Sequence, residues 1–295
     1  MAALTEHRVS VPLRVPAAGL TAVRAVLVHG PAGWGERSTP PPNYPSDPGA
    51  ARRAAREAAC GTWPSPVRDR VAVNAVVPAA DPSTASSLAA AAVAAGARCV
   101  KVKVGTPDDE RRVSAVRDAV GPGVALRLDA NGAWSVDHAL AVIGRLARLD
   151  LELVEQPVES LDDLARLRRR LAVAVPLAAD EAVRSIADAR RLRRLAAADV
   201  VVVKVQPLGG VAAALEVAEM AGVPAIVSSL YETSVGLAAG LALAAALPEL
   251  PYACGLGTAA LLAGDVVVDP LVPEGGELTV RRPVPHPDLL AEYAA

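Results

Sequence analysis

The chain has 295 residues, with 30 basic and 32 acidic side chains and a formal net charge of −2. That even balance excludes the dense basic face of a nucleic-acid binder and the polybasic patch that an anionic membrane attracts. Hydrophobic residues make up 52%, enough for a large core, but Phe is absent and aromatics are 2%, so Ala, Val and Leu must fill it.

Residues 1–71 read as an α+β unit. Strands are predicted at 9–15 and 21–28, with Ala17-Ala18-Gly19 turning between them. The Gly-rich stretch 29–37 and the prolines at 40, 41, 42 and 45 predict a long loop, either a lid over a site or a flexible connector. A short Arg/Ala/Glu-rich helix is expected at 50–59, followed by a break at 61–66. The first ten residues carry Glu6, His7 and Arg8 and no apolar targeting core. Cys60, Cys99 and Cys254 form no close pair, so reduced thiols and a cytoplasmic location are expected.

From residue 72 the pattern becomes periodic. Apolar strands are predicted at 73–77, 99–104, 124–129, 151–155, 177–180, 200–204, 225–228 and 252–255. Helices are predicted between them at 83–95, 108–120, 136–148, 161–171, 183–195, 210–221 and 234–247. The strands do not alternate apolar and polar residues, as expected where both faces are covered. The longest apolar run, 235–247, is broken by Gly, closed by Pro and too short to span a bilayer. Alternation at this count predicts a modified TIM barrel, (β/α)7β, over 72–258, with its active site at the strand C-terminal ends. Residues 259–295 leave the alternation, with strands expected at 266–268 and 278–281 returning to the opening unit.

Three successive strands end in acids: Asp129, Glu155 and Asp180. A single acid there reads as a helix cap or an Asx turn. Three in phase, about one strand-plus-helix unit apart, repel unless a cation lies among them. The set contains no His or Cys, which favours Mg2+ or Mn2+ over Zn2+. Two strands also carry lysine where burial is expected: Lys101 and Lys103 on the second, Lys204 on the sixth. In a closed eight-stranded barrel those strands lie opposite, so Lys103 and Lys204 face each other across the acids. A cation and desolvation would each lower a lysine's pKa toward that of a useful base. The alternative is that both lysines are salt-bridged to Asp129 or Asp180 and purely structural.

The order and spacing of Lys101-Val102-Lys103, Asp129-Ala130-Asn131, Glu155-Gln156-Pro157, Asp180-Glu181 and the run from Lys204 to Gly210 resemble the enolase superfamily, in its Lys/Lys subgroup. Gly33-Trp34-Gly35-Glu36 in the opening unit adds to the resemblance. It implies Mg2+ held by Asp129, Glu155 and Asp180, and removal of a proton beside the carboxylate of a small-molecule substrate. It implies Lys103 as the base, with Lys204 protonated on the other face. None of His7, His29, His138 and His286 falls at a barrel strand end, which excludes the branch with a His base. Residues 252–257 contain no acid, unlike the dipeptide epimerases. Residues 73–78, Arg127 and the stretch 228–234 resemble the branch that dehydrates a succinyl-bearing cyclohexadiene carboxylate. The alternatives are the branch that racemises N-succinylamino acids and a non-catalytic metal-binding barrel. By the same resemblance Ser228, Ser229 and Gly255 would hold the succinyl tail, with helix capping the bland reading for the serines. Lys101 and Arg127 would orient carboxylates or balance charge, and Asn131 and Glu181 would position a ligand or a lysine.

Overall fold

The structure, a computed structural model, describes residues 4–42 and 44–295. The chain opens with β1 (Thr5–Ala17), β2 (Leu20–Gly30), β3 (Gly33–Ser38) and α1 (Pro48–Cys60). The stretch 29–37, expected as a loop, therefore contains a strand: β3 pairs antiparallel with β2 from Gly30↔Gly33 to Ala25↔Ser38. Its glycines, read as breakers, serve close packing. A Cβ at Gly35 would lie 2.1 Å from the carbonyl oxygen of Ala55 in α1, so only glycine lets strand and helix touch there.

The barrel follows as β4 (Arg70–Ala72), β5 (Ala75–Val77), α2 (Pro82–Ala94), β6 (Cys99–Lys103), α3 (Asp109–Val120), β7 (Ala125–Asp129), α4 (Val136–Leu146), β8 (Leu151–Glu155) and α5 (Leu161–Arg170). It continues with β9 (Leu177–Ala179), α6 (Ile186–Leu195), β10 (Val200–Lys204), α7 (Val205–Leu208), α8 (Val211–Ala221), β11 (Ala225–Ser228) and α9 (Ser234–Ala246). After it come β12 (Glu277–Thr279) and α10 (Pro287–Glu292). Strands β5 to β11 form one parallel seven-stranded sheet in chain order. The helices start where short polar side chains cap them: Asp47, Asp81, Ser135, Ser160, Ser185 and Thr233 each accept a first-turn N–H.

The sheet curls until its two ends meet through residues 254 and 255. Cys254 N–H donates to Ala72 O (2.7 Å), and Asn74 N–H donates to Cys254 O (3.0 Å). Gly255 N–H donates to Val227 O (2.8 Å), and Ser229 N–H donates to Gly255 O (3.0 Å). The expected eighth strand, 252–255, is thus reduced to two isolated bridges, Val73↔Cys254 and Ser228↔Gly255. Pro251 supplies no N–H to lengthen the ladder.

Two apolar layers hold the barrel. Ala, Val and Leu fill the space between strands and helices, as the lack of Phe required. A smaller plug of Leu153, Ala178, Val200, Val202 and Ile226, with Tyr252 against it, fills the interior. The outer sheet packs through Val9, Val11, Val23 and Leu27 on Val235, Leu262, Val266 and Val267. Residues 266–268 reach that sheet as irregular backbone rather than the expected strand. β12 pairs with β4, and the contacts returning to β1 include the bridges Val9↔Ala294 and Leu13↔Leu262. The three cysteines are free, with Cys99 and Cys254 buried. No helix among the described residues is long and apolar enough to cross a membrane.

Two glutamates tie the outer unit to the barrel. Glu57 of α1 accepts the N–H groups of Val211 (2.6 Å) and Ala212 (3.0 Å), capping α8. Buried Glu36 of β3 accepts Thr233 N–H (3.0 Å), Gly236 N–H (2.9 Å) and the Thr233 hydroxyl, capping α9. Acids are stabilised at helix N-termini by the unpaired N–H groups there.

Candidate active site

Register brings the charged strand ends level. Lys103 pairs with Asp129, Asp129 with Glu155, and Glu155 with Ala178, two residues before Asp180. Glu155 stands two residues beyond Leu153, Asp180 two beyond Ala178, and Lys204 two beyond Val202. Since strand side chains alternate, all three point into the interior above the apolar plug. Lys103 and Lys204 stand four strands apart with the carboxylates between them.

The lysines and acids pair closely. Lys101 donates to both oxygens of Glu155 (3.0 and 3.1 Å) and reaches Asp129 at 3.1 Å. Lys103 donates to Asp129 (2.7 Å) and to Asn131 Oδ1 (2.9 Å). Lys204 donates to both oxygens of Asp180. The ion pairs posed as the structural alternative are therefore present, and the lysines differ in what else they do. The Lys103 side chain is 32% exposed at the mouth, whereas those of Lys101 and Lys204 are 8% and 7% exposed.

Burial works against charge on Lys204, but the Asp180 carboxylate outweighs it and holds the ammonium well above its usual range. Lys101 is held up in the same way against burial, by Glu155 and then Asp129. Burial would also raise Asp129, yet Lys103 and Lys101 keep it well below the usual carboxylate range. Glu155 is pushed up to about 7 by burial and then by the neighbouring Asp129 charge, despite Lys101.

No three His, Cys, Asp or Glu side chains among the described residues converge tightly enough to hold a metal ion as they stand. Lys101 lies between Asp129 and Glu155 instead. The donor set nevertheless fits a hard divalent cation by its chemistry: three carboxylates, each at most 4% exposed, offer oxygen donors alone, and crowding among them still pushes Glu155 up.

Gln156 and Asn131 hold the acids in place. Gln156, fully buried, accepts Asp180 N–H at 2.8 Å and donates to Val158 O at 2.7 Å, locking two strand ends together. Asn131, with φ of 45°, donates its backbone N–H to Asp129 (3.1 Å) and its side-chain amide to Glu181 (2.8 Å). Asn131 thus links Lys103 to Glu181, while the second Glu181 oxygen is buried without a partner.

Several expected contacts differ. Arg127 lies two residues below Asp129, 1% exposed, in an ion pair with Glu152 and donating to Ala253 O (2.7 Å). It belongs to the barrel floor rather than the mouth, because strand alternation returns it to the interior one layer deeper. Lys101 is consumed by Glu155 and Asp129 and has no free reach. Gly255 spends its N–H on Val227 O, so that group cannot hold a ligand. Ser229 donates to Gly255 O (3.0 Å) and lies 3.0 Å from the Thr258 hydroxyl. Only the Ser228 hydroxyl, with contacts of 3.4 Å, is loosely held. Neither serine caps α9, because Thr233 does.

Three contacts around the site escaped the sequence reading. Tyr44 lays its ring on Lys204, 4.8 Å from Nζ to centroid. Gln206 accepts Ser38 N–H at 2.8 Å, and Glu36 caps α9. The signal for Tyr44 was its rarity: it is one of four Tyr in a chain without Phe, set within a proline loop.

Comparison with known proteins sorts this arrangement. A family described as "Enolase C-terminal domain-like" matches residues 84–285. The fold is that of 2-chloromuconate cycloisomerase from Rhodococcus opacus (TM-score 0.88, 24% identity, 99% of both chains). N-succinyl Arg/Lys racemase from Bacillus cereus shares it (TM-score 0.86, 23% identity, 99% of this chain and 97% of that one). The chain belongs to the enolase superfamily, whose members are generally divalent-metal dependent. Its close sequence relatives there are o-succinylbenzoate synthases. That of Thermobifida fusca is 51% identical over 95% of this chain and 88% of its own length. That of Mycolicibacterium smegmatis is 45% identical over 98% and 89%.

Proposed function

We propose that the protein is a carbon–oxygen lyase, an o-succinylbenzoate synthase. It would convert 2-succinyl-6-hydroxy-2,4-cyclohexadiene-1-carboxylate to 2-succinylbenzoate and water, a step of menaquinone biosynthesis. The observation that carries this reading is the asymmetry of the two opposed lysines. Lys103 opens to the mouth, while Lys204 is buried, bound to both oxygens of Asp180 and held charged. One accessible base opposite one fixed positive charge suits a syn elimination, in which a single group handles both proton transfers. A racemase needs an acceptor and a donor of comparable freedom on opposite faces. The synthase relatives at 43–51% identity support the same choice.

In this reading Lys103 Nζ removes the ring proton beside the carboxylate. Negative charge moves onto the carboxylate oxygens, where the Lys204 ammonium faces it from the other side. Lys103 then gives the proton to the departing hydroxyl on its own face, water leaves, and the ring becomes aromatic. Asn131 holds Lys103 in line through the 2.9 Å bond to its Oδ1. Asp129, Glu155 and Asp180 would hold Mg2+, which supplies Lewis-acid stabilisation of the carboxylate charge. Ser228 is the remaining candidate for the succinyl tail.

The test replaces each lysine by arginine. Arginine keeps the charge but cannot release a proton near neutral pH. Lys103→Arg is expected to abolish dehydration and Lys204→Arg to retain part of it, while a racemase would lose interconversion of the enantiomers with either change. Dehydration of the cyclohexadiene is followed beside solvent-deuterium exchange into an N-succinylamino acid. Fast exchange of both enantiomers without dehydration would replace this reading with the racemase.

A further inference from the structure

We propose that Tyr44 is a positioning residue for Lys204, a role that rests on the function given to Lys204 above. Lys204 is gripped from two sides. Asp180 takes the ammonium with both carboxylate oxygens, and the Tyr44 ring covers it at 4.8 Å. A lysine stem has several freely rotating bonds, so one carboxylate alone leaves the ammonium free to swing about it. An aromatic ring against the ammonium restricts that freedom and helps keep water off the charge. Such cation–π contacts correspond to a factor of about 2 to 30 in an equilibrium constant.

The described residues on either side of the ring are anchored. Prolines at 40, 41, 42 and 45 restrict the loop's backbone before it is placed. At one end Thr39 N–H donates to Arg24 O (2.8 Å), and Ser38 N–H donates to Gln206 Oε1 (2.8 Å). Gln206 lies two residues after Lys204, so the loop is tied to the segment whose lysine it covers. Within the loop Tyr44 N–H closes a turn on Pro41 O (3.0 Å). At the other end Asp47 caps α1 through Gly49 N–H (2.8 Å) and Ala50 N–H (3.0 Å). The outer unit therefore contributes a side chain to the charge arrangement of the barrel mouth.

The test separates the ring face from its hydroxyl and from its bulk. Tyr44→Phe keeps the face, whereas Tyr44→Leu keeps much of the bulk and loses the π system. Unfolding midpoints are measured first, without substrate, for Tyr44→Leu, Lys204→Met and the double variant. Strong non-additivity is expected, and additive midpoints overturn the contact whatever reaction the protein performs. Turnover of the cyclohexadiene is then measured. Tyr44→Phe is expected to turn over close to wild type, while Tyr44→Leu loses about 3- to 30-fold in kcat with KM little changed. A Tyr44→Phe variant as impaired as Tyr44→Leu would assign the effect to the hydroxyl and overturn the proposal. A rise in KM at constant kcat would also overturn it, by reducing Tyr44 to a wall of the pocket. A wild type that does not dehydrate would remove the function reading and leave the midpoint result standing.

Discussion

Replacing Glu232 by Gln should change how stability depends on pH, and the structure sets the size. Glu232 is 5% exposed, one residue before the cap of α9, and burial followed by the nearby Glu36 charge pushes it up to about 8 from 4.5. Its Leu230 N–H contact and the Lys204 charge pull the other way and do not prevail. The unfolded chain ionises this group near 4.5 and the folded chain near 8, so the folded state binds the extra proton between those values. Stability contributed by the neutral acid is full below about pH 4.5 and falls as pH rises, by about 1.4 kcal/mol per unit, until about pH 8. At 1.36 kcal/mol per unit the total is at most about 5 kcal/mol, and relaxation of the site will reduce it. Glutamine has the same shape and no charge to bury. Urea denaturation of both proteins from pH 5 to pH 9 should show the variant gaining on wild type through pH 8 and then holding a constant lead. Part of the gain will come from Glu36, itself pushed up to about 7 chiefly by burial, which loses a charged neighbour. Parallel stability curves over the whole range would refute the reasoning.

Asp129→Ala should abolish dehydration with the fold intact by circular dichroism, and exhaustive EDTA should do the same to wild type until Mg2+ is returned; full turnover after EDTA would overturn the metal assignment. Arg127→Leu should cost about 1–3 kcal/mol in urea, because the Ala253 carbonyl and the partly exposed Glu152 carboxylate both lose their donor, yet leave KM for the cyclohexadiene unchanged. Gly255→Ala should cost about 1–3 kcal/mol, since its Cβ would lie 2.5 Å from Ser228 Oγ. Asn131→Ala should lower kcat about 10- to 100-fold in steady-state assays, as Lys103 loses its second anchor.

The barrel was legible because its signals are local. Strands 151–155, 200–204 and 225–228 fall where apolar runs meet a charged or polar end, and the helices begin at capping side chains. The level row of Lys103, Asp129 and Glu155 followed from the same grammar, because parallel register places strand ends together. What failed depended on partners distant in sequence. β3 was hidden because glycines that break an isolated segment here admit α1. The depth of Arg127 depends on Glu152 and on Ala253, 126 residues away. Tyr44 and Glu36 reach the barrel from the outer unit, and no spacing within either segment reveals the crossing.

The closure at residues 254 and 255 has a consequence for the order of events during synthesis. Every lysine and acid of the site lies between residues 101 and 204, on five neighbouring strands that can pair as soon as they are made. The ring itself waits for a segment some 180 residues after Val73, the separation that makes loop closure slow. A nascent chain can therefore carry an assembled row of charges on an open, curling sheet before there is any barrel to enclose it. Completion falls to a few backbone bonds and to Arg127, which reaches Ala253 from the floor. The seam that joins last is also where amide exchange with solvent should report the first opening of the finished protein.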